Sequence, residues 1–501
     1  AGRAQLDRLV AVTFTELAAG ELKLRLRGEI ERARLAAPPE SAAAQYLKAA
    51  LPQLEEARIG TIHSFCSDLL RERPVEAGVD PLFEVAPEDV AGELFRRAFD
   101  RWFEECLKEP SEAVRRILRR RSRDDVSPRE LLRSAAWQLT ERRDFATPWR
   151  VAPFDRNGEI DALMAELEAL GAQSGAGESS DYFTTSVVEI AQFVHEVSRR
   201  EAIRGRDYDG LEAELLQLAR AKHWRWVGFT RGPGAAAKAA LRAERERVQA
   251  HLLAFVDAAG ADLAPRLRDE LWPVIERYQR LKESAGRLDF SDLLLIARDL
   301  LRGNPAVRRD LQARFTHVFV DEFQDTDPLQ AEILMLLAAA DPGEVDWTRV
   351  VPVPGKLFLV GDPKQSIYRF RRADVALYED VKRRLVAAGA VLQHLTVSFR
   401  AVPEIQAAVN AALAPRMAGS SSQATYVPLV AVRASVAEQP AIVALPVPAP
   451  YGDFGKVVDW QIERSLPDVM AAFVAWLVRE SGWTVSAADG TRVPIAPRHV
   501  C

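Results

Sequence analysis

Val318-Phe-Val-Asp-Glu-Phe-Gln-Asp325 joins a short apolar run to a cluster of carboxylates. The three apolar residues predict a buried strand of a parallel sheet. Open α/β sheets bind their ligands at the C-terminal ends of their strands, and Asp321 and Glu322 emerge there. In that position Asp321 would hold a Mg²⁺, directly or through water, and Glu322 would orient an attacking water. Together they form the magnesium-and-water half of a nucleotide hydrolysis site. The plainer alternative is a strand that ends in a solvated acidic turn.

A second apolar run, Leu357-Phe-Leu-Val360, ends at Gly361-Asp362 and a polar loop with Gln365. A neutral amide there can sense whether a γ-phosphate is present. The loop continues with Tyr368, Phe370 and Arg371. Aromatic and guanidinium groups at such spacing suit base stacking and backbone contact on a single strand. The alternative is a core Tyr and Phe with solvated arginines. A third run, Leu395-Thr-Val-Ser398, delivers Phe399 and Arg400, with Pro403 at a helix start. Phe399 could stack on a purine, and Arg400 could act as an arginine finger on a transferring phosphoryl group.

These segments need a sheet to hold them, and the chain supplies strand-like runs on both sides of a long helical stretch. Residues 6–15 and Ile59-Gly-Thr-Ile62 predict strands, with a helix from Glu21 to about Arg34 between them, broken at Pro38-Pro39. Residues 88–285 are rich in Ala, Leu, Arg and Glu at helical spacing, with no convincing buried strand. Leu288-Asp-Phe-Ser-Asp-Leu-Leu294 opens a further helix, capped by Ser291 or Asp289. Strands are expected at 316–320, 356–360 and 392–397. Residues 411–458 read as a loosely built connector, followed by a helix at about 466–480 and a strand start. The chain begins without Met and stops at Arg498-His-Val-Cys501, as if inside a strand, so both ends read as cut.

The 501 residues allow two to four domains. A hydrophobic share of 48% and a charged share of 28% describe an ordinary soluble composition. The net charge of −5 gives no global signature of nucleic-acid binding, although a local basic groove would suffice. Cys66, Cys106 and Cys501 lack metal-ligand spacing, which points to a reducing cytoplasm. No apolar run approaches membrane-spanning length. The arginines from Arg115 to Arg123 read as a solvated helix face in preference to a DNA track. Trp224 and Trp226 read as packing residues in preference to base-stacking ones.

Taken in order, these segments resemble the superfamily 1A DNA helicases of the UvrD/Rep type, and most of all the RecB and AddA helicase–nuclease subunits. Val12-Thr-Phe-Thr-Glu-Leu-Ala-Ala-Gly-Glu-Leu22 is similar to motif Ia, and Thr61-Ile-His-Ser-Phe-Cys66 to motif Ib. Asp289-Phe-Ser-Asp-Leu293 resembles a sequence typical just before motif II. Asp321–Asp325 resembles motif II, Gly361–Asp374 motif III, and Ser398-Phe-Arg400 motif IV.

The resemblance implies an α/β fold: a RecA-like P-loop NTPase domain with a parallel sheet, interrupted by a large all-α insertion and followed by the start of a second RecA-like domain. The implied boundaries are 1–87 and 286–391 for domain 1A, 88–285 for the helical domain 1B, and 392–501 for the start of domain 2A. It implies ATP and Mg²⁺ as cofactors, with Asp321 on the metal, Glu322 as catalytic base, Gln365 and Arg400 at the γ-phosphate and Phe399 on adenine. Phe14, Thr15, His63, Tyr368, Phe370 and Arg371 would contact single-stranded DNA. The implied activity is 3′ to 5′ translocation and duplex unwinding in repair or recombination, with a nuclease or helicase-like partner subunit. The competing readings are a nuclease and a non-catalytic DNA-binding scaffold subunit.

Three departures stand out. No Gly-x-x-x-x-Gly-Lys-Ser/Thr occurs, so the phosphate loop is expected just before residue 1 and the isolated 501 residues are expected to lack ATPase activity. Motifs V and VI are expected beyond Cys501. Arg372 stands where the family usually has Gly, and Ser398 where it usually has Asn.

Overall fold

A computed structural model describes residues 5–120, 126–145, 147–175, 182–225, 235–369, 372–420, 423–445, 459–487 and 490–500. The chain divides into two compact units, residues 1–61 with 309–501, and residues 62–308.

The first unit is built on four strands: β1 (Leu9–Thr13), β2 (Arg58–Thr61), and, beyond the second unit, two more. The second unit carries β3 (Glu84–Val85) and β4 (Arg287–Leu288). The first then resumes with β5 (His317–Val320) and β6 (Leu357–Leu359). The sheet order is β2-β1-β5-β6, and every pairing is parallel. Val10 and Val12 on β1 and Val318 and Val320 on β5 are buried, and this alternation fixes which face meets the core. The fold is therefore α/β with a parallel sheet, as expected from the sequence. The helix Glu16–Ala36 starts where Thr15 Oγ1 accepts the Ala18 N–H at 3.1 Å. It ends just before Pro38-Pro39.

Two expectations are corrected in this unit. The run at 392–397 forms only a two-residue strand, β7 (Val397–Ser398), paired in parallel with Val430–Ala431. The segment around Arg498 is a 3₁₀ turn, Pro497–His499, and not a strand. Its Pro497 supplies no N–H for a ladder.

The second unit is helical, with the parallel pair β3–β4 as its only strands among the described residues. A 50-residue helix, Ala235–Ser284, runs through it. That is about 75 Å of helical rise. Its first half gives Val248, Leu252, Phe255 and Ala259 to one core, and its second half gives Leu263, Leu271, Val274 and Tyr278 to another. Trp224 is buried in the first core, with its indole N–H on the Leu218 carbonyl at 2.7 Å. Trp226 lies outside the described residues.

The arginine run has neither of the roles its sequence suggested. Arg116 is fully buried, and binds Glu212 at 2.7 Å and Asp262 at 2.6 Å. Arg120 reaches Glu212 at 2.6 Å, Arg115 reaches Asp209 at 3.3 Å and Arg119 reaches Asp207 at 3.3 Å. The run clamps the helix Glu112–Arg119 to Tyr208–Ala219.

A titratable clamp joins two helices of the first core. His251 lies 3.0 Å from Glu166 and 3.1 Å from Glu159, and Arg247 lies 2.8 Å from Glu166. The bond to Glu166 raises the His251 pKa above its ordinary value, against the opposing effect of partial burial. A raised folded pKa stabilises fully below the unfolded value of about 6.5, and the contribution is lost as pH rises through the folded one. The melting temperature of the helical unit is expected to fall between pH 6 and 8, and His251→Gln is expected to flatten that slope. An unchanged slope in the variant would remove His251 as its source.

Candidate nucleotide and DNA site

β5 ends at Val320, and the backbone of Asp321 still bonds to the sheet, its N–H on the Val12 carbonyl at 2.9 Å. The chain then turns sharply. Glu322 takes φ 53° and ψ 41°, the left-handed region that non-glycine residues avoid. Asp321 Oδ1 accepts the Glu322 N–H at 3.0 Å and so supports the turn. Phe323 continues it, with its N–H on the Val360 carbonyl at 2.9 Å.

Gln324 lies beneath these carboxylates and is 2% exposed. Its amide donates from Nε2 to Glu322 Oε2 at 2.6 Å, and its Oε1 accepts the Asp362 N–H at 2.9 Å. Asp362 Oδ2 in turn accepts from Gln365 Nε2 at 3.0 Å. Ser366 Oγ donates to the Gln324 carbonyl at 3.1 Å. Glu322 and Gln365, which lie on different loops far apart in the sequence, are thus joined through two intermediates, Gln324 and Asp362. Gly361 makes the approach possible, because a Cβ there would lie 2.9 Å from Gln324 Oε1 and 3.0 Å from Tyr378 Cε2.

The electrostatics are graded across the cluster. Burial opposes ionisation of Asp362, yet Lys364 and Gln365 hold its carboxyl below the usual range. Asp325 is shifted the other way, by burial first and then by the charge of Glu322. Asp321 is exposed, and its Oδ2 accepts no hydrogen bond among the described residues. A Mg²⁺ ion takes oxygen ligands and commonly binds through one or two carboxylates plus phosphate oxygens, so Asp321 fits the role.

The aromatic expectation is met in part. Phe14, just after β1, stacks on Tyr368 with ring centroids 4.8 Å apart and planes 29° apart. Thr15 spends its hydroxyl on capping the following helix. Phe370 and Arg371 lie outside the described residues. Phe399 is 78% exposed on the loop after β7, and Arg400 beside it is exposed, with its carbonyl 3.4 Å from Arg433 Nη1. Neither side chain contacts the Glu322 cluster among the described residues. His63 belongs to the second unit, where its ring meets Phe290 edge-on at 5.5 Å. Gln324 and Asp362 were missed as site residues. Gln324 stands within the acidic motif itself, but only the neighbouring strand end gives it a second partner.

The family model for the UvrD/REP helicase N-terminal domain matches residues 1–385. The chain belongs to this family. Among UvrD/REP-related proteins, it is similar to an ATP-dependent helicase/nuclease subunit of Exiguobacterium sibiricum, 30% identical over 447 residues, covering 81% of this chain and 35% of that protein. The protein of the same name from Natranaerobius thermophilus is 27% identical over 466 residues, covering 84% and 35% respectively. That from Geobacillus kaustophilus is 28% identical over 493 residues, covering 85% and 37%. The chain thus spans about a third of the length of these relatives.

Arg372, at the position where UvrD/REP relatives were expected to have Gly, adopts φ 71°. Glycine takes this conformation without a Cβ penalty, whereas a β-branched residue resists it. Arg372→Gly is expected to leave the denaturant midpoint nearly unchanged, since relief of strain offsets the added freedom of the unfolded chain. Arg372→Val is expected to cost about 1–2 kcal/mol. Equal midpoints for the two variants would count against a strained turn.

Proposed function

We propose that this chain forms part of an ATP-dependent DNA helicase of the helicase–nuclease type, moving 3′ to 5′ on single-stranded DNA in repair or recombination. The observation that carries this reading is the linkage of Glu322 to Gln365 at the C-terminal ends of two neighbouring parallel strands. It is supported by the family match over residues 1–385. In this reading residues 1–87 and 286–391 form a RecA-like P-loop domain, 88–285 its helical insertion, and 392–501 the start of a second RecA-like domain. Among the described residues, no helix is long and apolar enough to cross a membrane. The proposed setting is the cytoplasm, and the proposed partners are DNA and a nuclease or helicase-like subunit.

Glu322 accepts the proton of the water that attacks the γ-phosphorus, as the bond to the ADP oxygen breaks. The left-handed turn aims its carboxylate, and Gln324 holds it in place. Asp321 holds Mg²⁺, which supplies charge neutralisation on the phosphates when bound. Gln365 and Arg400 meet the γ-phosphate, and Phe399 stacks on adenine. Phe14, Thr15, Tyr368, Phe370, Arg371 and His63 contact the strand.

The test is ATP hydrolysis by the intact protein with and without single-stranded DNA. Strong stimulation by DNA is expected. DNA binding with no hydrolysis in either condition would replace this reading with that of a scaffold protein on a silent helicase fold.

A further inference from the structure

The proposed roles leave one buried polar side chain without a task. Gln324 neither faces solvent nor belongs to the residues assigned to nucleotide or DNA. Both ends of its amide are nevertheless occupied, and by different strands' loops. The Nε2 end grips the Glu322 carboxylate, and the Oε1 end takes the Asp362 N–H. These two bonds fix which way the amide faces, because only nitrogen can donate to the carboxylate and only oxygen can accept from the backbone. The contact to Gly361 leaves the amide no room to rotate away. Glu322 itself has a strained backbone, so its side-chain direction is not secured by a regular element.

We propose that Gln324 is a positioning residue for hydrolysis, tying the carboxylate of Glu322 to the loop that bears Gln365. The inference rests on the reading of Glu322 as the base. It adds that the base and the γ-phosphate sensor move as one hydrogen-bonded unit, Glu322–Gln324–Asp362–Gln365. A displacement of Gln365 on phosphate contact is then passed to Glu322 through Asp362 and Gln324. Asp321, which carries no bond to Gln324, stays outside the unit.

The test uses the intact protein and two variants of matched size. Gln324→Glu keeps the acceptor for the Asp362 N–H but sets a carboxyl against Glu322. Two carboxyls at this distance cannot both ionise readily, so one proton is shared and the base is blocked near neutral pH. The expected result is a kcat at pH 7 lower by about tenfold or more, with KM for ATP within about threefold. The kcat–pH profile should also shift to the alkaline side. Gln324→Met keeps the packing and removes both bonds, and should lower kcat with no alkaline shift. DNA affinity is measured in parallel as a check on folding and should be unchanged in both.

Wild-type kcat and an unshifted profile in Gln324→Glu would overturn the proposal. So would a rise in KM with kcat preserved, which would mark Gln324 as a binding residue. Absence of hydrolysis in the unaltered protein would overturn the underlying reading instead. Full turnover by Glu322→Gln, which lies outside this pair of variants, would do the same.

Discussion

Glu322→Gln is expected to lower ATP turnover by about 10²-fold or more while ATP still binds. The substitution removes one property and little else. A Gln at 322 has the same length, and its amide oxygen can still accept from Gln324 Nε2, which now donates to Glu322 Oε2 at 2.6 Å. Asp321 keeps its bond to the backbone N–H at 322, which does not depend on the side chain. Nothing in the variant can take a proton from water at neutral pH. Steady-state kcat in the intact protein and equilibrium binding of a slowly hydrolysed ATP analogue separate the two effects. Turnover near the wild-type level would remove Glu322 from its role.

The second large effect is on stability. Asp289→Ala is expected to cost about 3–5 kcal/mol in the helical unit, because it leaves buried cations without a partner. Asp289 caps the helix Phe290–Gly303, and its Oδ1 accepts the Asp292 N–H at 2.8 Å. It also binds Arg143 at 2.6 Å, Lys282 at 2.6 Å and the Tyr278 hydroxyl at 3.0 Å. Asp292 binds the same Arg143 at 2.5 Å and Lys282 as well, so two carboxylates balance two cations. Removing one carboxylate breaks that balance in a site closed to water.

Burial opposes ionisation of Asp289, yet Arg143 and Lys282 hold its carboxyl well below the usual range. A depressed folded pKa stabilises fully above the unfolded value of about 3.9, and the contribution is lost as pH falls through the folded one. Ser291→Ala, at the other residue that could have capped this helix, is expected to stay within about 0.5 kcal/mol. Joint replacement of Lys282 by Met and Asp289 by Leu is expected to cost less than Asp289→Ala alone, because an apolar pair leaves no uncompensated charge. Denaturant unfolding of the four proteins orders these costs. A mild Asp289→Ala with a severe Ser291→Ala would overturn the assignment.

What could be read from the sequence depended on how far apart the interacting residues lie. The strands that carry Asp321 and Gly361 announced themselves as apolar runs that stop at polar residues. The helical character of 88–285 followed from spacing alone, and strand β4 lies just beyond it. Thr15 and Asp289 were placed near helix starts by local chemistry. Arg116 was hidden for the opposite reason. A cluster of arginines looks solvated until the fold brings Glu212 and Asp262, 96 and 146 residues away, against one of them. Gln324 was hidden likewise, since its role needs the backbone of Asp362. The run at 392–397 had the composition of a strand, but only its last residue and Ser398 find a partner in Val430–Ala431. Propensity sets what a segment can form, and pairing decides how much of it does.

The turn at Glu322 has a consequence for how such chains change over generations. The conformation at this position costs about 1–3 kcal/mol for a residue with a side chain, and glycine would escape most of it. Selection for turnover must therefore hold Glu322 against a stability gradient that points toward loss of the carboxylate. In a lineage where hydrolysis no longer matters, substitution here is not neutral drift but movement downhill. The acidic motif would then be among the first parts of the chain to erode, well before the buried strand that presents it.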